Sequence, residues 1–341
     1  EQLAALEISR LLRLPTASDI DTFVGGRLEM ISFRLKEGDD LIGKTVSKIF
    51  FKSKIQVLMA AIQRGDEAII PNGDVVLKND DLISILGKPS SISDFLRQIG
   101  AKMEKVKDTM IIGGGKVTHY LADMISRQNI KVKIIEIDAK KCEYLSETLP
   151  NCLIIQGDGT DEEVLMSEDI KEVNSVVCLT DRDEENVVVG MYAMQCGVPK
   201  TIVKINHINL NLVKNIGLGS IVCPKNSTAY QIIKYVRGMN NSVGSSEIKT
   251  LYKIIDTEKG NIEALEFDVK ATSRCIETPL KDLRIKKDFL IGCIVRNGNI
   301  IIPTGTAVIK SGDSVIVIAQ NANINELDNI LSSEFAMFGG E

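Results

Sequence analysis

Two periodicities divide the chain. Between residues 108 and 225, short Ile/Val-rich runs fall at 109–113, 131–136, 153–156, 175–180, 201–205 and 220–223. Segments with helical spacing separate them, at 116–128, 139–148, 161–167, 184–196 and 207–217. Strands that are apolar on both faces and alternate with helices predict a parallel sheet covered on each side. Outside this stretch the pattern changes. Residues 2–14 place Leu3, Leu6, Ile8, Leu11 and Leu14 on a helical face opposite Arg10 and Arg13, and Pro15 ends that helix. Residues 27–35, 57–62, 68–71 and 82–86 read as strands, with turns at 64–66 and 71–74 and a short helix after Gly43. A linker over 88–107 carries a helix near 92–99, and its lysines at 102, 105 and 107 read as a solvated face.

The same pattern returns near the C-terminus. Leu28-Glu29-Met30-Ile31-Ser32-Phe33 matches Ile262-Glu263-Ala264-Leu265-Glu266-Phe267 at an offset of 234 residues. Arg64, Ile69, Ile70, Pro71, Gly73, Val76, Lys78 and Asp81 recur as Arg296, Ile301, Ile302, Pro303, Gly305, Val308, Lys310 and Asp313, offset by 232. Ala5, Ile8 and Arg13 recur as Ala229, Ile232 and Arg237, offset by 224, which implies an insertion around 239–248. An internal repeat of this length marks a duplicated unit. The first 100 residues are then the back end of a unit whose full copy spans 108–319, and a further nucleotide-fold domain is expected before Glu1.

Candidate chemistry gathers at the ends of the middle strands. Asp108-Thr109-Met110-Ile111-Ile112 runs into Gly113-Gly114-Gly115 and then Lys116-Val117-Thr118, a strand, a tight turn and a helix start. Gly113 and Gly115 would allow a sharp turn and close approach to a ligand, and the helix N-terminus would face an anion such as phosphate. Glu136 ends the second strand, 23 residues after Gly113, at the distance expected for an acid that bonds a ribose 2′-OH. The third fingerprint glycine is replaced by Thr118. A kinase-type phosphate loop does not fit, since Met110 and Val117 occupy its required Gly and Lys-adjacent Ser/Thr positions. The other chemistry-bearing residues at strand ends are Asp138, Gly157-Asp158-Gly159-Thr160, Thr180-Asp181 and Lys204.

Composition narrows the class. The 341 residues are 44% apolar with no Trp, and 41 basic against 46 acidic residues leave a net charge of −5, without a basic, aromatic-interleaved stripe for nucleic acid. No apolar run reaches the roughly 18–20 residues of a membrane span, and no secretory leader is expected. The seven cysteines form no Cys-x-x-Cys pair and read as free thiols of a reducing compartment, with Cys178 a small core residue; two histidines make a zinc site improbable.

Taken together, these runs resemble the RCK (regulator of potassium conductance) family, the nucleotide-binding regulatory subunits of Trk/Ktr potassium transport, in their tandem TrkA-type form. The resemblance lies in Ile111-Ile112-Gly-Gly-Gly-Lys-Val-Thr, Ile135-Glu136-Ile137-Asp138, Gly157-Asp158-Gly159-Thr160-Asp161 and Leu179-Thr180-Asp181-Arg182-Asp183-Glu184-Glu185-Asn186, and in the repeated Arg-x6-Pro-x-Gly motif. It implies an α/β fold: a Rossmann-like doubly wound parallel-sheet domain at 107–225, plus two small α+β C-terminal RCK subdomains at 25–100 and 251–335. Residues 1–24 would be a crossover-helix remnant and 226–250 a second crossover helix with its linker. Carried over by position, Gly113, Gly114, Gly115, Lys116 and Val117 would hold phosphates, Glu136 the adenosine ribose, and Asp158 the adenine side. Thr180 and Asp181 would lie by the phosphates or the far ribose, and Lys204, where the family usually has Arg, would neutralise phosphate. The implied ligand is NAD(H), or ATP/ADP, with Glu136 opposing the 2′-phosphate of NADP. The implied partner is a potassium-translocating membrane subunit, approached from the cytoplasmic face by a homo-oligomer.

Two other functions stay open on the residues alone. An NAD-dependent oxidoreductase would need an acid/base; His119 sits in a helix's first turn, where packing or solvent exposure is the commoner role, and His207, after the fifth strand, is the better candidate but has no obvious carboxylate orienter in sequence. A scaffold with a non-binding site would account for Thr118 and Lys204. Asp181, Asp183 and Glu184 read as helix-start complements to the dipole.

Overall fold

A computed structural model describes residues 1–51, 55–101, 105–207, 217–226, 246–257, 259–321 and 324–332, with Val213, Thr228, Ala229, Ile232 and Val236. Most of the helix expected at 207–217, most of the crossover helix and linker expected at 226–250, with part of the insertion around 239–248, and Lys102 lie outside the described residues. In chain order the elements begin with α1 (Gln2–Arg13), β1 (Asp19–Phe23), β2 (Leu28–Arg34), α2 (Val46–Phe51), β3 (Val57–Arg64), β4 (Glu67–Ile69), β5 (Leu82–Gly87) and α3 (Pro89–Gln98). Next come β6 (Asp108–Ile112), α4 (Lys116–Ser126), β7 (Lys131–Glu136), α5 (Ala139–Thr148), β8 (Cys152–Gln156), α6 (Glu162–Ser167), β9 (Ser175–Cys178), α7 (Asp183–Gln195), β10 (Lys200–Lys204) and β11 (Ser220–Val222). The last are β12 (Ser246–Thr257), β13 (Gly260–Val269), β14 (Phe289–Arg296), β15 (Asn299–Ile301) and β16 (Ser314–Gln320). They form two compact units, Glu1–Ile20 with Lys102–Ala229, and Asp21–Ala101 with Tyr230–Glu341.

The first unit is built on a six-stranded sheet in the order β11-β10-β9-β6-β7-β8, all parallel. Its central strands are apolar on both faces because helices cover both: Met110, Ile111, Ile112, Ile134, Ile135, Val176, Val177, Cys178, Ile202 and Val203 are all buried. Strand order reverses between β6 and β9, so the crevice beyond their C-terminal ends is the topological position for a ligand. One face of the unit differs from the expected pattern. α1 packs on α4 and β11 through Ala4, Ala5, Ile8, Leu11 and Leu12, while Leu3 and Leu6 remain 45% and 38% exposed. The two alanines let the helices approach closely, and this outweighs the larger apolar area of the leucines.

The second unit contains the repeat twice. Its two five-stranded sheets have one topology, β1-β2-β5-β3-β4 and β12-β13-β16-β14-β15. Both carry a register shift at the same place, Met59/Ala61 and Ile291/Cys293. In each, a bidentate arginine holds a buried aspartate at 2.8 Å, Arg64–Asp81 and Arg296–Asp313, and also donates to a loop carbonyl, Val76 O or Val308 O. One apolar core joins Leu28, Met30, Ala61 and Leu86 to their counterparts Ile262, Ala264, Cys293 and Ile318. Strands β1 and β12 were not anticipated. β12 begins inside the stretch read as linker, and its two register shifts against β13 break the alternation that would reveal a strand.

Candidate functional site

The turn after β6 holds the site. Gly113 adopts φ +99°, and a Cβ there would lie 2.9 Å from Thr180 N. At Gly114 a Cβ would lie 2.7 Å from Leu145 Cδ1 and 2.9 Å from Glu136 Oε2, so glycine is required for packing. Gly115 has φ −76° and no protein neighbour within 4 Å of a built Cβ, so the packing constraint lies on Gly114 and space for a ligand is left at Gly115. Thr118, in place of the third glycine, is fully buried and donates from Oγ1 to Gly113 O at 2.5 Å. The larger residue is absorbed as a staple across the turn.

Glu136 arrives from the end of β7. It is 5% exposed, and its oxygens accept from Gly114 N (2.5 Å) and Asp138 N (2.8 Å). Asp138 caps α5 through Lys140 N and Lys141 N. Within α5, burial followed by the charges of Glu136 and Asp138 pushes the Cys142 thiol up. No side chain caps the start of α4 at Lys116, so its positive end faces the crevice.

A cleft of about 390 Å³ opens there, lined by Gly113, Gly114, Gly115, Glu136, Asp158, Thr180 and Asp181 among the expected residues. Asp158 accepts from Thr160 Oγ1 (2.7 Å) and N (2.9 Å), and these bonds hold its carboxyl below the usual range. Thr180 N donates to Asn186 Oδ1, and Asp181 is 91% exposed at the rim. Three expected residues do not line the cleft. Lys116 is exposed on α4, Val117 is buried, and Lys204 is buried with its ammonium 3.5 Å from Asp181 Oδ1. Lys141 and Arg182 line it instead, with Gly159, where a Cβ would lie 2.4 Å from Ile112 Cγ2. Lys141 was readable in principle, since it sits in the first turn of the helix that Asp138 caps at a strand end.

Among the described residues no carboxylate is bonded to either histidine ring. His119 stacks on Tyr144 at 5.8 Å, and His207 Nδ1 lies 3.1 Å from Lys225 Nζ. Asp183 lies in the first turn of α7, as a complement to the helix dipole would, and is also a buried acceptor for Asn206 N and His207 N. Among the described residues no group of three His, Cys, Asp or Glu side chains is placed to hold a metal.

The TrkA-N domain model matches residues 109–224, the whole of this sheet, and the TrkA-C domain model matches twice, at 30–100 and 264–332. The chain belongs to the TrkA family. It is 31% identical over 330 residues to Trk system potassium uptake protein TrkA homolog 1 of Methanosarcina mazei, covering 96% of this chain and 71% of that one. It is 30% identical over 327 residues to the TrkA homolog of Archaeoglobus fulgidus, with the same coverage. Among solved structures, the GsuK RCK domain aligns with TM-score 0.52 at 17% identity, over 93% of this chain and 67% of that one. The GsuK channel bound to NAD aligns with TM-score 0.52 at 15% identity, over 93% of this chain and 55% of that one. At such identity these two share the fold. Among the described residues of the chain, no helix is long and apolar enough to cross a membrane.

Proposed function

We propose that this TrkA-family chain is a non-enzymatic regulatory subunit of a potassium uptake system, binding NAD(H) or another adenine nucleotide in the cleft beyond β6 and β9. The position of Glu136 carries the assignment: a buried carboxylate fixed by Gly114 and Asp138 amides, beside an uncapped helix N-terminus, in an open cleft. Glu136 would take ribose hydroxyls, and the first-turn amides of α4 would take phosphate. Asp158, Thr180 and Asp181 would line the rest of the nucleotide. Of the cations, Lys141 and Arg182 are better placed than Lys204 to meet it.

In this assignment 107–225 is the nucleotide-binding domain, 25–100 and 251–335 are the C-terminal subdomains, and 1–24 and 226–250 are connecting elements. The partner is a membrane-embedded potassium-translocating subunit, met at the cytoplasmic face by a homo-oligomer. The nucleotide shifts that partner's equilibrium only through its differential affinity for two arrangements of the domains. No observation favours an oxidoreductase, since the cleft lacks a histidine and His207 faces a lysine.

Thermal unfolding of the chain with NADH, NAD, ATP, ADP and NADPH tests the site. A ligand at 100 times its Kd adds about 2.7 kcal/mol. At least one of the first four should raise Tm by several degrees, with NADPH well behind NADH. No shift with any of them overturns the assignment.

A further inference from the structure

Asn186 lies in the second turn of α7, fully buried, and does not line the cleft. Its Oδ1 accepts from Thr180 N at 2.8 Å, and its Nδ2 donates to Thr180 O and Lys204 O, both at 3.0 Å. One side chain therefore joins the end of β9, which forms the cleft wall, to the end of β10. One turn earlier on the same helix, Asp183 accepts from Asn206 N at 2.8 Å and from His207 N. The chain leaving β10 is thus held at three successive peptide groups, those of residues 204, 206 and 207, by the first two turns of a helix whose start, Arg182 and Glu185, lines the cleft.

A buried amide and a buried carboxylate are costly unless every bond is made, and an apolar pair would brace two loops more cheaply. What the polar pair provides is directionality. Thr180 cannot shift toward a ligand without moving Asn186, and Asn186 cannot move without changing its bond to Lys204 O. Resting on the nucleotide site proposed above, we infer that Asn186 and Asp183 are positioning residues that relay occupancy of the cleft to the segment leaving β10. Neither touches the ligand. Lys204 fits this role better than that of a phosphate ligand: its carbonyl receives the relay while its ammonium pairs with Asp181.

Amide hydrogen exchange read by mass spectrometry, on the full chain with and without saturating NADH, tests the relay. Saturation removes any change of affinity from the readout. In wild type, NADH slows exchange both around Thr180 and across 204–207, by at least about fivefold, the lower end of ordinary coupling energies. Asn186→Ala brings the ratio across 204–207 close to one. Asp183→Asn disturbs the acceptor of Asn206 N and His207 N but leaves the bonds of Asn186 to Thr180 in place, so it brings the ratio at 206–207 close to one while the ratio around Thr180 stays, and it supplies the test should Asn186→Ala not fold. A merely structural brace would speed exchange equally with and without NADH and leave both ratios at the wild-type value, which overturns the relay. Wild type that binds NADH with a ratio of one across 204–207 overturns the relay alone. Wild type that binds no nucleotide overturns the site and the relay together.

Discussion

Gly114→Ala probes the geometry at its tightest point. The new methyl would lie 2.7 Å from Leu145 Cδ1, 2.9 Å from Glu136 Oε2 and 3.0 Å from Glu136 Cγ. Leu145 is buried in α5, and Glu136 is held from its far side by Asp138 N, so neither can retreat freely. Overpacking of this kind costs about 1–3 kcal/mol, which lowers the Tm of a domain this size by roughly 4–8 °C at the middle of that range. Relief by turning Glu136 away would break the Gly114 N–H bond and misplace the ribose acceptor. A hydrogen bond to a charged group is worth about 1.5–3 kcal/mol, so NADH affinity falls about 10- to 100-fold. Gly115→Ala is the matched control. Its methyl meets no protein atom within 4 Å, and the backbone is already in a region open to alanine. Tm without ligand should then stay within about 2 °C, the small cost of alanine at an N-cap, and any loss of NADH binding is a clash with the ligand itself. Differential scanning calorimetry with and without NADH separates the two. Gly114→Ala with wild-type Tm and an undiminished NADH shift would refute the packing argument.

Three further substitutions probe the scaffold. Lys200 is buried at the opposite end of the sheet, donating to Ala17 O and Ser220 Oγ, and burial pushes its ammonium down from 10.5 to about 7. Between those values the unfolded chain binds more protons than the folded one, so stability rises with pH above about 7. Lys200→Met should remove about 2 kcal/mol of that rise between pH 7 and 9, and parallel urea-denaturation curves for wild type and variant would refute the assignment. In the repeated subdomains, Arg64→Met and Arg296→Met each strip a buried aspartate of its partner. Each should cost about 3 kcal/mol by urea denaturation, and a large loss at only one position would contradict the equivalence of the two copies.

The parallel sheet was legible because helices bury both its faces, which leaves unbroken runs such as Met110-Ile111-Ile112 and Val176-Val177-Cys178. The repeat was legible because Arg64 and Asp81, and Arg296 and Asp313, are constrained by one bidentate bond at fixed spacing. Three features were hidden, each for a physical reason. β12 shifts register twice, which interrupts the simple period of two that marks a strand. The buried stripe of α1 is set by close approach to α4, which favours Ala4 and Ala5 over Leu3 and Leu6. Lys204 carries a cation to a strand end, as expected, but its ammonium is turned to Asp181, which no spacing reveals.

The same bonds that make Glu136 well ordered also restrict what can bind. A carboxylate offers about four acceptor positions. Gly114 N and Asp138 N take two, which would leave two for the hydroxyls of one ribose in the proposed site. A 2′-phosphate brings charge and no donor, so it meets only repulsion. Because Gly114 N is already committed, phosphate must be met by amides farther along, from Gly115 into the first turn of α4, where no side chain competes. Glu136→Ser should therefore have two separable effects. Gly114 N loses its partner and NADH binding weakens about 10-fold or more, while NADPH, freed from the carboxylate, weakens less or improves. The ratio of the two affinities, read by titrating nicotinamide fluorescence, should fall toward one. An NADH preference that survives the substitution would mean that Glu136 does not face the ribose.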